Sequence, residues 1–113
     1  MDNCVFCGIV SGAIPSKKVY EDDVLVAFYD LEPQAPVHVL VVPKQHISCA
    51  NEITADNSGA IARIFEAVPV IADKLGLKDG YRIVNNCGKH GCQSVMHLHF
   101  HLLGGKQLAG QMV

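Results

Sequence analysis

The chain is predicted to be an α+β domain built on a mainly antiparallel sheet of about five strands, with one long and one short helix. Three observations lead there. Short runs of aromatic and β-branched residues are separated by turn residues, and one stretch, residues 55–75, repeats its apolar side chains at helical spacing. The run "HLHFHLL", residues 97–103, alternates with the period of two that a strand imposes on its side chains.

The elements follow in order. "CVFCGIVSG" has helical spacing at Val5, Ile9 and Val10 and stops at Gly12, with Pro15 beyond, as a short helix ended by glycine would. "KKVYEDDVLVAFYD" reads as two strands of a hairpin joined at the acidic turn Glu21-Asp22-Asp23. "PVHVLVVPK" is apolar on both faces except at His38, as expected of a strand buried within a sheet and stopped by Pro43. From Ala55 to Leu75, Ile61, Ile64, Phe65, Val68, Ile71 and Leu75 mark the long helix, and Gly76 is placed to cap it. Pro69 lies inside that pattern and should kink or loosen it. "GYRIVNN" is a fourth strand, "CGKHGC" a glycine-containing loop, and the histidine run the last strand.

A length of 113 residues with 50% hydrophobic content suits a single domain, residues 1–113, with enough apolar surface for one core. The formal net charge of −2 leaves no basic footprint for nucleic acid or an anionic membrane. No stretch approaches the roughly 20 apolar residues of a transmembrane helix. The N-terminal "MDNCVFCGIV" lacks the basic flank of a signal peptide, so a cytoplasmic setting is expected. Five cysteines, an odd number, argue for free thiols or metal ligands rather than a disulfide framework.

On a strand, His97, His99 and His101 share one face, while Leu98, Phe100 and Leu102 point the other way into a core. A half-exposed strand would ordinarily be filled with Thr or Lys, so three imidazoles point to chemistry. An imidazole nitrogen can attack phosphorus or carbon if the other ring nitrogen keeps its proton and is held by an acceptor. The rival use is a metal, because histidines two apart on a strand can chelate one ion through neutral rings. Spacing alone does not separate the two. A cupin-type metal site would want a carboxylate a few residues on, and "HLLGGKQLAGQMV" has none, which weakens the all-metal reading. The pair Cys4-x-x-Cys7 is open in the same way: two thiolates sharing a metal, or two reduced cysteines on a first helix.

"QSVMHLHFHLLGG" resembles the His-x-His-x-His signature of the histidine triad (HIT) superfamily. The resemblance spans nearly the whole chain: residues Ile9 to Ile47, with "PQAPVH" and "VPKQHI", and Gly80 to Val95, with "GCQSV", are similar to its nucleotide-binding, phosphoramidase branch. It implies a HIT-like fold in which two five-stranded sheets join in a homodimer, with "YRIVNN" and the helix around Phe65 at the twofold interface. It implies a hydrolase that cleaves the P–N bond of purine nucleoside 5′-phosphoramidates through a nucleotidyl-histidine intermediate, with aminoacyl adenylates as further candidate substrates. His99 then matches the nucleophile, His101 the histidine on the phosphate, His38 a further active-site histidine, and Ser94 a hydroxyl near the departing amine. Gln93 and Val95 match backbone contacts to phosphate, Asp30 the carboxylate on the ribose hydroxyls, and Asn86 a residue near sugar and phosphate. Phe6, Ile9, Phe28 and Leu31 match the surround of the base. These roles agree with the physics, since a carboxylate accepts two hydroxyl protons and an apolar slot suits a purine.

Among relatives of bacterial type the resemblance also implies a structural zinc held by Cys4, Cys7, His46 and His97, tying the N-terminus to the triad strand. The chain departs from the family pattern in its loop, where Cys92 stands at a position commonly glycine, and Cys87 and His90 are atypical. With Cys92 these offer a candidate second thiol-imidazole cluster. The tail "KQLAGQMV" lacks the aromatic segment that some relatives use beside the leaving group. Two other classes remain open: a nucleotide-binding or interaction module with little turnover, and a zinc-dependent hydrolase in which the histidines serve the metal.

Overall fold

The structure, a computed structural model, describes residues 3–113. A short helix α1, Val5–Ser11, opens the fold; the Cys4 sulfur accepts a hydrogen bond from the Cys7 N–H at its start, and Gly12, at φ 85°, closes its end. That left-handed turn costs glycine little and any other residue more, which is why the helix stops there. Strands β1, Lys18–Glu21, and β2, Leu25–Tyr29, form the hairpin, and β3, Val37–Pro43, follows. A 3₁₀ turn at Ala50–Glu52 leads to helix α2, Ser58–Lys74, and then β4, Tyr81–Val84, and β5, Phe100–Gly104. The five strands form one sheet in the order β1-β2-β3-β5-β4, with every neighbouring pair antiparallel.

The alternation of β2 and β3 explains their apolar character on both faces. Leu25, Ala27, Val39 and Val41 pack on one side with Ile64, Val68 and Ile71 of α2, and Leu98, Phe100 and Leu102 join them. Val26, Phe28, Leu40 and Val42 face the other way, against Phe6 and Ile9 of α1. Each buried Leu or Ile side chain contributes about 1.5–3 kcal/mol. The long helix is therefore one cover of the sheet, and the short one the second.

Two boundaries differ from the sequence expectation. The helix expected from Ala55 begins at Ser58, because Thr54 and Asn57 are engaged in a turn: the Thr54 N–H donates to Asn57 Oδ1 and the Asp56 N–H to Thr54 Oγ1. Pro69, expected to kink or loosen the helix, lies inside α2, which runs on to Lys74. The last strand was expected from His97 but begins at Phe100, since the ladder to β3 stops at Val41–Phe100 and that to β4 at Val84–His101. His97 and His99 thus lie in a segment just before the strand, still on the α1 side, where Phe6 meets both rings edge-on. Among the described residues, no helix is long and apolar enough to cross a membrane.

Candidate active site and metal centre

The chemistry of the histidines is written in their hydrogen bonds. His99 Nδ1 lies 2.8 Å from the carbonyl oxygen of His97, and a carbonyl only accepts, so Nδ1 carries the proton and Nε2 keeps its lone pair. The Gln34 backbone N–H donates to His38 Nδ1 at 3.0 Å, which puts the proton of neutral His38 on Nε2. That proton has an acceptor in His101 Nδ1 at 2.8 Å, so His101 in turn is protonated on Nε2. Asp30 Oδ2 stands 3.4 Å from the same His38 nitrogen, and Asp30 Oδ1 is occupied by the Glu32 N–H at 2.7 Å. One ring is thereby prepared as a base or nucleophile and its neighbour, 5.2 Å away between centroids, as a donor.

His99 and His101 border a cleft of about 520 Å³ between α1, the end of β2 and the loop before β5. Phe6, Ile9, Phe28, Asp30, Leu31, Ser94, Val95, His99 and His101 line it, which gathers most of the residues singled out in the sequence into one place. Phe6 and Phe28 meet edge-on at 5.5 Å and give the cleft an apolar wall. Leu31, at 97% exposure, stands free at the rim. His38 is buried behind His101 rather than on the cleft itself.

Asn86 and Gln93 hold the loop instead of lining the cleft. Asn86 Nδ2 donates to the Gly91 carbonyl at 2.6 Å. The Gln93 amide donates to Ser48 and Val95 carbonyls and accepts from the Gly88 N–H. The Gln93 backbone N–H is given to the Gly88 carbonyl, so of the two backbone groups expected on phosphate this one is engaged within the loop. Cys92 is the one non-glycine residue at positive φ among those described, at 61°. A side chain in that region costs about 1 kcal/mol, a cost that the glycine expected from the family resemblance would avoid. Cys87, His90 and Cys92 are not among the groups of His, Cys, Asp or Glu that converge closely enough to hold a metal ion.

A second cluster lies at the start of α1. One ligand atom from each of Cys4, Cys7, His46 and His97 fall within 4.8 Å of one another. Cys4 Sγ is 3.3 Å and Cys7 Sγ 3.5 Å from His97 Nδ1, and Cys7 Sγ is 3.2 Å from His46 Nδ1. His97 Nε2 lies 2.8 Å from the Pro43 carbonyl, so it carries the proton and Nδ1 offers its lone pair toward the thiols. Two sulfurs and two imidazole nitrogens are the donor set zinc takes in closed tetrahedral sites, so the residues fit that ion. Burial, together with the neighbouring Cys4, pushes the Cys7 thiol up to about 11. Burial also holds His97, 0% exposed, below the usual imidazole range, the neutral form a metal requires.

Burial lowers His38 and His101 as well; Asp30 opposes the shift at both, while neighbouring imidazoles add to it at His101. Both rings take up protons more readily in the unfolded chain than in the fold. Their contribution to stability is therefore whole above an ordinary imidazole pKa of about 6.5 and is lost as pH falls below it. Thermal melting should be level between about pH 7 and pH 8, below the range in which the Cys7 thiol of the unfolded chain ionises, and should decline on acidification from about pH 6.5, before any carboxylate titrates. A His38→Asn variant should flatten that early decline, and melting curves across pH for the two proteins check it.

Several groups that set the site left no mark in the sequence. The carbonyls of His97 and Pro43 and the N–H of Gln34 decide three tautomers, and backbone groups carry no residue signature. Asn85 donates to the His99 carbonyl at 2.9 Å and went unnoticed, although its place at the end of the "YRIVNN" strand was the available signal.

The HIT domain family model matches residues 11–108. An uncharacterized HIT-like protein of Synechococcus elongatus is 47% identical over 108 residues, covering 96% of this chain and 95% of its own. The purine nucleoside phosphoramidase of Escherichia coli K12 is 41% identical over 108 residues, covering 95% and 91% respectively. Among solved structures, a HIT family hydrolase from Clostridium thermocellum superposes with a TM-score of 0.96 at 42% identity, over 100% of this chain and 99% of that one. A histidine triad protein from Clostridium difficile does so at 0.93 and 46%, over 98% and 96%. With a family match across most of its length, near-complete relatives and two histidines of the triad lining one cleft, the chain belongs to the histidine triad (HIT) family.

Proposed function

We propose that the protein is a hydrolase of purine nucleoside 5′-phosphoramidates. The observation that carries this reading is the His99 tautomer: a buried imidazole with Nδ1–H fixed on the His97 carbonyl has one lone pair left, at Nε2, for attack on an electrophile in the cleft. The base rests against Phe6, Ile9, Phe28 and Leu31, and the Asp30 carboxylate takes the ribose hydroxyls through Oδ2, the oxygen that the Glu32 N–H does not hold. His99 Nε2 attacks the α-phosphorus, His101 Nε2–H supports a phosphoryl oxygen, and the P–N bond breaks as the nitrogen receives a proton. Ser94, exposed on the cleft loop, hands its hydroxyl proton to the amine and takes a replacement from solvent water, and Val95 offers backbone to the phosphate. Water then displaces His99 from phosphorus and releases the nucleoside monophosphate. The relative named purine nucleoside phosphoramidase supports this substrate class.

An amine leaving group fits the loop better than a second nucleotide does. The extra phosphates of a dinucleoside polyphosphate call for Lys, Arg or a divalent cation, and the loop from Cys87 to Val95 carries Lys89 alone. Adenosine 5′-phosphoramidates should outrun diadenosine polyphosphates in kcat/KM by a wide margin, and Ser94→Ala should slow the former by about 10-fold or more. A panel of adenosine and guanosine phosphoramidates and diadenosine polyphosphates measures both. Comparable kcat/KM for the two substrate classes would overturn the assignment.

Zinc held by Cys4, Cys7, His46 and His97 is part of the same proposal. It would be structural, since four protein ligands leave no position for a reacting water. The protein is further proposed to act as a homodimer through β4, an edge strand of the sheet. Tyr81 on that strand and Phe65 and Val70 on α2 are 40%, 47% and 56% exposed, more apolar surface than a lone monomer needs to show. Light scattering should give about twice the chain mass of 12.2 kDa, and the single-chain mass across micromolar concentrations would contradict the dimer. Five free cysteines fit a reducing cytoplasmic setting, which cell fractionation checks.

A further inference from the structure

We infer that Asn85 is a positioning residue for the proposed nucleophile, acting on the backbone of His99 rather than on substrate. The ladders on both sides of β5 end before His99: the last pair with β4 is Val84–His101 and the last with β3 is Val41–Phe100. The His99 carbonyl therefore falls in a buried segment without a strand partner. Asn85, the first residue beyond β4, supplies one through its side chain, with Nδ2 2.9 Å from that oxygen.

The bond completes a clamp. His99 is held by its ring, through Nδ1–H to the His97 carbonyl, and by its own carbonyl, through Asn85. Between them the Leu98 N–H is fixed on the Ile47 carbonyl at 2.6 Å. The peptide after His99 is held through its carbonyl by Asn85. The next residue, Asn86, ties the loop through the Gly91 carbonyl, so adjacent amides hold the nucleophile from one side and the phosphate loop from the other. A buried carbonyl deprived of its donor turns to find another, and a shift of about 1 Å at a reacting atom costs on the order of 100-fold in rate. Asn85 is not among the residues that line the cleft, so its loss should leave ligand binding alone.

The test uses Asn85→Ala and Asn85→Asp in the full chain. The Asp variant keeps the shape but, as a carboxylate, has no proton to donate and faces the carbonyl with like charge. Both should lose roughly 10- to 100-fold in kcat with KM and the Kd for adenosine monophosphate within about threefold, the Asp variant losing more. In nitrogen-15 NMR the His99 Nδ1 proton should be slowly exchanging in the unaltered protein and exchange faster in both variants. If the Ala variant fails to fold, the isosteric Asp variant carries the test. Unchanged kcat with an unchanged His99 signal, or a loss found only in KM and Kd, would overturn the inference. Because it rests on the phosphoramidase reading, absence of turnover in the unaltered protein would reject that reading, while the NMR signal still reports on the clamp.

Discussion

His99→Ala is expected to lower phosphoramidate turnover by at least roughly 10⁴-fold while nucleotide still binds, the largest change any single substitution should make here. The expectation follows from where the protons sit. His99 is the one ring of the triad whose Nδ1–H is committed to a carbonyl and whose other nitrogen borders the cleft. His97 offers its lone pair to the thiol cluster, and His101 offers its Nδ1 to His38. Neither can replace His99 without breaking a buried hydrogen bond. Binding should survive because the apolar wall of Phe6 and Phe28 stands on other elements, and His99 adds only an edge contact to Phe6 at 5.1 Å. Rapid-quench kinetics should reveal a phosphorus-bound protein in the unaltered enzyme and none in the variant, and the Kd for adenosine monophosphate should change by less than about tenfold. A nucleotide trapped on another residue, or a variant that keeps a substantial fraction of its kcat, would remove His99 from the role.

How much of this was readable in advance depends on the kind of information each feature carries. The period of two in "HLHFHLL" placed three imidazoles opposite Leu98, Phe100 and Leu102, and the structure divides them in that way even where the strand itself has not begun. Periodicity survives because burial on two faces enforces it, whereas a strand's end depends on whether a neighbour is present to pair with, which lies elsewhere in the chain. The start of α2 departs from the apolar periodicity for a related reason. Thr54 and Asn57 have ordinary helix-entry chemistry, but their side chains close a preceding turn instead. Cys92 could be marked as a departure from glycine, yet the reason, a φ of 61°, is a property of the folded loop. The tautomers were beyond reach altogether, since they are decided by carbonyls that every residue possesses.

Loss of the zinc proposed at Cys4, Cys7, His46 and His97 should produce the largest loss of stability. Helix α1 has seven residues, too few to persist without tertiary support. Its support comes from Phe6 and Ile9 packed on the sheet and from Cys4 and Cys7 beside His46 and His97. In the metal-free state the Cys7 thiol stays protonated, since it is pushed up to about 11, and a neutral sulfur and neutral rings hold one another weakly. Cys4 and Cys7 as thiolates and His46 and His97 as neutral imidazoles would hold zinc, and the ion would supply a bond to each of the four donors. At metal concentrations about 100-fold above Kd the linkage is worth about 3 kcal/mol, on the order of 10 °C in melting temperature for a domain of this size. Chelation with EDTA and Cys4→Ser should each lower the melting temperature by that order, and added zinc should restore the first but not the second. Nucleotide affinity should fall with stability, because Phe6 stands between the two cysteines and forms the cleft wall. The chemical step should change less, since His97 keeps its Nε2–H on the Pro43 carbonyl and so continues to present its own carbonyl to His99. Protein purified without chelator and with its thiols reduced should carry close to one equivalent of zinc per chain. No bound metal under those conditions, together with a melting temperature indifferent to EDTA, would end the proposal.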